Sequence, residues 1–368
     1  MRIRRIELRE IALRLRERFE ISSGGRQDRR VLLLKLESED HTGWGECVAA
    51  EDPGYSYETT ETAWSMFTEF LVPGLMGREM EDARELLDPV RWVRGHRMAK
   101  AGLEMAAWDL EACRRGVSLA RLLGGDGGEI AVGVSVGLQP TDEVLLAKVA
   151  GYVEEGYARI KIKIKPGRDV EMLGVVRAAF PDLPMMADAN SAYTLDDQGR
   201  LKALDPLGLM MIEQPLPHDD LLDHSRLQRS LDTPICLDES IRSVRDAELA
   251  LELDAGRIIN IKPGRVGGFS EARAIHDLCL DRGVPVWCGG MLESGVGRAH
   301  NLALASLPGF TLPGDISASR RYWERDVVDP EFELRGGTMT VPDGPGIGVR
   351  VREEDFPALT TRVEVFEA

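Results

Sequence analysis

Arg159-Ile160-Lys161-Ile162-Lys163-Ile164-Lys165 alternates basic residues with isoleucine at a period of two, the pattern of a strand whose two faces meet different surroundings. Counting on from Lys163, further short apolar runs end on a charge at a nearly fixed step. Asp188 follows Pro184 to Ala187, Glu213 follows Leu209 to Ile212, Asp238 follows Pro234 to Leu237, and Lys262 follows Ile258 to Ile261, with separations of 25, 25, 25 and 24 residues. One strand-plus-helix unit takes about that many residues, and amphipathic stretches lie between the runs. With Ile130 to Val136 before and Pro285 to Cys288 after them, the units predict a parallel sheet, and their shortness favours a closed barrel over an open doubly wound sheet. No Gly-x-Gly-x-x-Gly marks a dinucleotide turn.

Outside this region the rhythm changes. Ile11, Leu13 and Leu15, then Leu32, Leu34 and Leu36, alternate as in half-buried antiparallel strands, with Ser38 to Gly43 as a turn into Trp44-Gly45-Glu46. Between the first two strands, Ser22 to Asp28 is glycine-rich and polar and reads as a mobile loop, a candidate lid formed by Ser22, Ser23 and Gly24. Residues 58 to 123 turn helical, most clearly from Met98 to Leu110, and Gly124-Gly125-Asp126-Gly127-Gly128 marks a domain boundary. Thr338 to Val341 and Ile347 to Val351 read as strands outside the barrel that return to the first domain.

Composition narrows the function classes. The 368 residues favour two domains, and 46 Lys plus Arg against 62 Asp plus Glu leave a formal charge of −16, which disfavours nucleic acid and anionic membrane as partners. The opening Met1-Arg2-Ile3-Arg4-Arg5-Ile6-Glu7 carries an acid where a signal peptide has its apolar stretch, and no run approaches a membrane span. A cytoplasmic protein is expected. Cys47, Cys113, Cys236, Cys279 and Cys288 contain no Cys-x-x-Cys pair and read as reduced thiols.

In a barrel the strand C-termini surround one mouth, so the spacing gathers Lys163, Asp188, Glu213, Asp238 and Lys262 there. An isolated strand-end Asp is usually a helix cap and an isolated Lys is usually solvated. Three carboxylates converging on consecutive strands need more than that, because they repel one another unless a cation lies between them. Carboxylate oxygens without His or Cys suit Mg²⁺ or Mn²⁺ better than zinc. Alternation lets only one of Asp238 and Glu239 face the axis; phase with Glu213 favours Asp238, with Glu239 as the fallback. His218, His224 and His300 carry no ligand spacing and read as structural. A metal on a substrate carboxylate stabilises an enediolate, so a flanking lysine can remove the α-proton, and two lysines on opposite sides can serve both faces. That geometry fits a racemase, an epimerase or a β-elimination on a small-molecule carboxylate.

These residues resemble the enolase superfamily, in its muconate lactonizing branch. Lys161-Ile162-Lys163, Asp188-Ala189-Asn190, Glu213-Gln214-Pro215, Asp238-Glu239-Ser240 and Lys262-Pro263-Gly264-Arg265-Val266-Gly267-Gly268 match that pattern in order and spacing, as do Gly43-Trp44-Gly45-Glu46 and Pro313-Gly314-Asp315-Ile316-Ser317. Within the branch, Arg159 to Gly167 and Gly289 to Asn301 look like the o-succinylbenzoate synthases that also racemise N-succinylamino acids, or N-acylamino acids more widely. The resemblance implies an α/β fold: a modified (β/α)7β TIM-like barrel at 126–325, with an α+β capping domain at 1–125 completed by 326–368. It implies a Mg²⁺ (or Mn²⁺) site at Asp188, Glu213 and Asp238. It also implies the syn dehydration of 2-succinyl-6-hydroxy-2,4-cyclohexadiene-1-carboxylate in menaquinone synthesis, with Lys163 as acid/base and Lys262 as a cation beside the enediolate.

By the same pattern Ser135, Lys161, Asn190, Arg265, Met291 and Leu292 contact substrate, and Arg265, just past Lys262, is expected to lower the pKa of that lysine by charge repulsion. One departure is visible: where the subfamily's lid commonly presents an aromatic residue, this chain has Ser23 followed by Gly24-Gly25. A dipeptide epimerase and a muconate-type cycloisomerase are the nearest alternatives on this scaffold. A Schiff-base aldolase and a non-catalytic barrel are further ones, and the barrel exterior leaves room for a homo-oligomer.

Overall fold

The alternating N-terminal residues form a long antiparallel hairpin of β1 (Arg5–Ile21) and β2 (Gly24–Glu37), which β3 (Thr42–Cys47) extends. The computed structural model describes residues 1–21 and 24–368, so Ser22 and Ser23 of the candidate lid lie outside the described residues. The predicted loop is shorter than its composition implied: from Gly24 the chain is already strand, and Phe19 pairs with Arg26 across the hairpin. Ile6, Leu8, Ile11, Leu32, Leu34 and Leu36 face inward and are fully buried. They pack under helix α1 (Arg97–Arg115), an amphipathic stretch closed by Gly116. Contact between β3 and α1 needs bare backbone. A Cβ on Gly45 would lie 2.0 Å from the Gly102 carbonyl oxygen, and one on Gly43 would lie 2.3 Å from that of Ala106.

The fourth strand of this sheet, Thr360–Glu367, comes from the far end of the chain and pairs antiparallel with β1. The tail stretches expected to return are used elsewhere. Thr338–Thr340 pairs with Glu129–Ala131, and Arg350–Val351 pairs with Val328–Asp329. The run read as one strand from Ile130 to Val136 therefore splits at Gly133, where the Arg159 backbone oxygen would sit 2.7 Å from any Cβ. Only Val134–Val136 enters the barrel sheet.

That sheet has seven parallel strands in sequential order: β4 (Val134–Val136), β5 (Ile160–Lys163), β6 (Met185–Asp188), β7 (Ile212–Glu213), β8 (Ile235–Leu237), β9 (Ile258–Ile261) and β10 (Val286–Cys288). Helices alternate with them on the outside, giving the curled α/β architecture the spacing predicts. Residues 310–315 span the gap between the outer strands. Phe310 bridges Val286, Gly314 bridges Val132, and the Asp315 amide donates to the Cys288 carbonyl at 2.8 Å. All five cysteines are free thiols, and no helix among the described residues is long and apolar enough to cross a membrane.

Candidate active site

Parallel register sets the spacing of the mouth. Lys163 is level with Asp188 and Asp188 with Glu213, each the last residue of its strand, while Asp238 and Lys262 stand one residue past β8 and β9. All five side chains are buried. Lys163 Nζ donates to Asp188 Oδ2 and Asn190 Oδ1, both at 2.6 Å. Lys161, two residues earlier on the same face, reaches Asp315 at 2.9 Å, Asp188 at 3.1 Å and Glu213 at 3.2 Å. On the other flank Lys262 Nζ donates to Asp238 Oδ2 at 2.7 Å, and Asn260 Nδ2 donates to Glu213 Oε1 at 2.7 Å. Asn190 and Gln214, which follow the acidic strand ends, hold left-handed backbone with φ of 42° and 40°, a local strain typical of functional sites.

The electrostatics divide the acids. Burial works against ionisation of Asp188, yet Lys163 and Lys161 hold it well below the usual carboxylate range. Asp238 is likewise held low against burial by Lys262 and Arg265, and Asp315 is brought to about 2 by Lys161 and Arg159. Glu213 goes the other way, pushed up to about 7 by burial and the Asp188 charge. Burial, Asp238 and Asp188 also raise Glu239 strongly; its Oε1 accepts from Asn190 Nδ2 at 2.9 Å and its Oε2 is buried with no partner among the described residues. The mouth thus gathers five buried carboxylates, Asp188, Glu213, Asp238, Glu239 and Asp315, all hard oxygen donors. Among the described residues no three His, Cys, Asp or Glu side chains converge on one point, because the lysine ammoniums lie between the carboxylates. The donor chemistry fits a divalent cation: Asp188, Glu213 and Asp238 would hold it, displacing ammonium groups that now pair with them.

One expectation about pKa reverses. Arg265 was expected to lower the pKa of Lys262, but it is buried with its guanidinium on Asp238 Oδ1, and its other donors reach the Ile241 and Asn260 carbonyls at 2.8 and 2.7 Å. Its charge is spent on Asp238. Lys262 is raised above the ordinary lysine range: burial opposes the ammonium, but Asp238 and Tyr55 favour it more. Lys161 is held cationic by Asp315, Glu213 and Asp188 despite full burial.

Above the mouth lies a cavity, open to solvent, between the barrel and the hairpin of β1 and β2. Ser135, Lys161, Lys163, Asn190, Lys262, Met291 and Leu292 line it, as does Gly24 of the candidate lid. Ser135 Oγ donates to Asp315 Oδ2 at 3.0 Å. Arg265 is absent from this lining; it borders a separate opening with Glu239, His218 and Tyr55. His224 and His300 are buried away from the cavity.

Sequence reasoning missed Phe19, Ile21, Arg26, Arg29, Tyr55, Arg298 and Asp315, which also line the cavity. Asp315 stood in a recognised motif. Arg298, on the helix Gly295–Ala305, lay within the Gly289 to Asn301 motif as well; the others sit on the hairpin or in an irregular turn, where no period singles them out, and Phe19 supplies an aromatic four residues before the expected lid position.

The capping sheet is joined to the barrel by buried acids at helix starts. Glu46 of Gly43-Trp44-Gly45-Glu46 accepts from Ser294 Oγ at 2.6 Å and the Gly297 amide at 3.0 Å, at the start of a helix spanning Gly295–Ala305. Glu104 of α1 accepts from the Phe269 and Ser270 amides, where the helix Phe269–Arg282 begins. The Glu46 pair fixes the loop that carries Met291 and Leu292.

Residues 144–355 match the family model described as enolase C-terminal domain-like, and residues 4–124 match the mandelate racemase / muconate lactonizing enzyme N-terminal domain. The chain belongs to the enolase superfamily and is an enzyme of that superfamily. Over 98% of its length it is 54% identical to an o-succinylbenzoate synthase of Geobacillus stearothermophilus, covering 96% of that protein. It is 50% identical to an N-succinylamino acid racemase of Thermus thermophilus, over 96% of this chain and 95% of that one. A solved enolase-superfamily structure from Listeria innocua superposes with a TM-score of 0.96 at 43% identity, over 100% of this chain and 99% of the other.

Proposed function

We propose that the chain is a Mg²⁺- or Mn²⁺-dependent o-succinylbenzoate synthase that also racemises N-succinylamino acids. The observation that carries this reading is the placement of Lys163 and Lys262. They end β5 and follow β9, with the three acidic strands between them, and both line one cavity. A cation held by Asp188, Glu213 and Asp238 would supply stabilisation for the negative charge that builds on the substrate carboxylate when the α-proton leaves.

In dehydration, Lys163 Nζ takes the α-proton and returns a proton to the departing hydroxyl on the same face, so that water leaves and the ring becomes aromatic. Lys262 stays protonated beside the developing charge. In racemisation Lys163 and Lys262 act on opposite faces, one removing and the other supplying the α-proton. This reading places the enzyme in the cytoplasm, serving menaquinone synthesis.

Parallel assays of the purified protein with the cyclohexadiene acid and with D- and L-N-succinylamino acids test the proposal. Turnover of both classes is expected. Turnover of a dipeptide or a muconate with neither class consumed would overturn it.

A further inference from the structure

Lys163 and Lys262 are held differently. Among the described residues, Lys163 takes its partners, Asp188 and Asn190, from the barrel. Lys262 takes one partner from outside it: besides Asp238 Oδ2, its ammonium donates to Tyr55 Oη at 3.1 Å. The phenol in turn donates to Asp238 Oδ1 at 3.2 Å, closing a triangle of lysine, carboxylate and hydroxyl. The ammonium also lies 4.8 Å from the centre of the Tyr55 ring, within cation–π range.

Tyr55 reaches this position from the segment between β3 and α1, which is pinned on both sides. Arg26 of β2 holds Glu51 at 3.2 Å and Asp52 at 3.0 Å, and Glu58 accepts from the Met98 and Ala99 amides at the start of α1. Charged anchors three or four residues to either side thus leave the aromatic ring at the apex. A loop fixed in this way positions a side chain more sharply than a free one does.

We propose that Tyr55 is a positioning residue that fixes Lys262, so that the capping region controls one face of the reaction and leaves the Lys163 face to the barrel. The proposal rests on the two-lysine reading above. Orientation of a proton-transfer group is worth a large factor in rate, and a hydrogen bond to a charged group is worth roughly ten- to hundredfold in an equilibrium.

The test is Tyr55→Phe, which keeps the ring and removes the hydroxyl. In D₂O, with the two enantiomers of an N-succinylamino acid supplied separately, exchange at the α-carbon by the Lys262 face should fall about tenfold or more while exchange by the Lys163 face stays within about twofold. KM should change little and the defect should lie in kcat. Equal loss on both faces would overturn the proposal in favour of a general structural role, and full activity on both would show that the hydroxyl does nothing. Crystal structures of wild type and variant, both loaded with Mg²⁺, give a readout independent of activity: Lys262 Nζ should shift from the position it holds in the wild type, and an unmoved ammonium would overturn the proposal. If the wild-type enzyme exchanges neither enantiomer, the two-lysine reading falls while the crystallographic result still decides the role of Tyr55.

Discussion

Buried charges at the barrel mouth are paired with one another, whereas those joining the capping sheet to the barrel are paired with backbone. Asp188, Glu213, Asp238 and Asp315 meet lysine or arginine. Glu46 and Glu104 accept instead from main-chain amides where barrel helices start, and within the capping region Glu58 accepts likewise at the start of α1 and Asp109 from the Trp44 and Ile347 amides. Charge pairs can exchange partners, so the mouth can trade an ammonium for a metal or move a proton. An amide donor cannot leave, so the second set fixes geometry. On the proposed function, the same residue types do chemistry in one region and hold shape in the other.

The sharpest way to break this contrast is to remove the cation. Stripping divalent ions with a chelator should abolish both dehydration and racemisation, and Mg²⁺ or Mn²⁺ should restore them, while the fold, followed by circular dichroism, persists. Full activity in a preparation shown to be metal-free would mean that the mouth acids are structural after all.

Next in size is Arg265→Gln. The substitution leaves the buried Asp238 with Lys262 and Tyr55 as its remaining partners, and breaking a buried ion pair costs on the order of 3–5 kcal/mol. A loss near the lower end is expected in urea unfolding. An unchanged midpoint would show that the Arg265–Asp238 contact adds nothing to stability.

The smallest effect is a pH dependence in the capping set. Burial pushes Glu46 from its ordinary 4.5 up to about 7, with Glu293 adding to the rise. Asp109 moves from 3.8 to about 7 by burial. Between the ordinary and the raised values the unfolded chain releases a proton that the folded chain keeps. Each acid's favourable contribution is therefore full below its ordinary value and lost as pH climbs to 7. At about 1.4 kcal/mol per unit, the change across that window is at most about 3.5 kcal/mol for Glu46 and at most about 4.5 kcal/mol for Asp109. Comparing wild type with Glu46→Gln and Asp109→Asn between pH 4 and 8 should show a stability difference that varies below pH 7 and levels off above it. A constant difference would mean that these carboxylates ionise normally.

The two regions also differed in how much their sequence disclosed. Mouth residues recur because each strand–helix unit repeats a length, so Lys163, Asp188, Glu213, Asp238 and Lys262 were legible from spacing, and parallel register then made three of them level. Cavity residues of the capping side follow no repeat. Tyr55 lies in a turn fixed by ion pairs to a distant strand, and Phe19 sits where a register shift interrupts the β1–β2 hairpin. The strand Thr360–Glu367 pairs with β1 across almost the whole chain, a partnership that local patterning cannot convey. The direction of the Lys262 shift was misjudged for a related reason. Sequence placed Arg265 near Lys262, but only the fold shows its charge turned onto Asp238.

Two lysines acting on opposite faces is the central claim, and isotope exchange in single variants tests it most directly. Lys163→Ala and Lys262→Ala, each incubated in D₂O with D- and L-N-succinylamino acid separately, should lose racemisation altogether. Each should keep α-proton exchange with one enantiomer only, and the surviving enantiomer should differ between the two variants. Racemisation persisting in either variant, or exchange with the same enantiomer in both, would contradict the account.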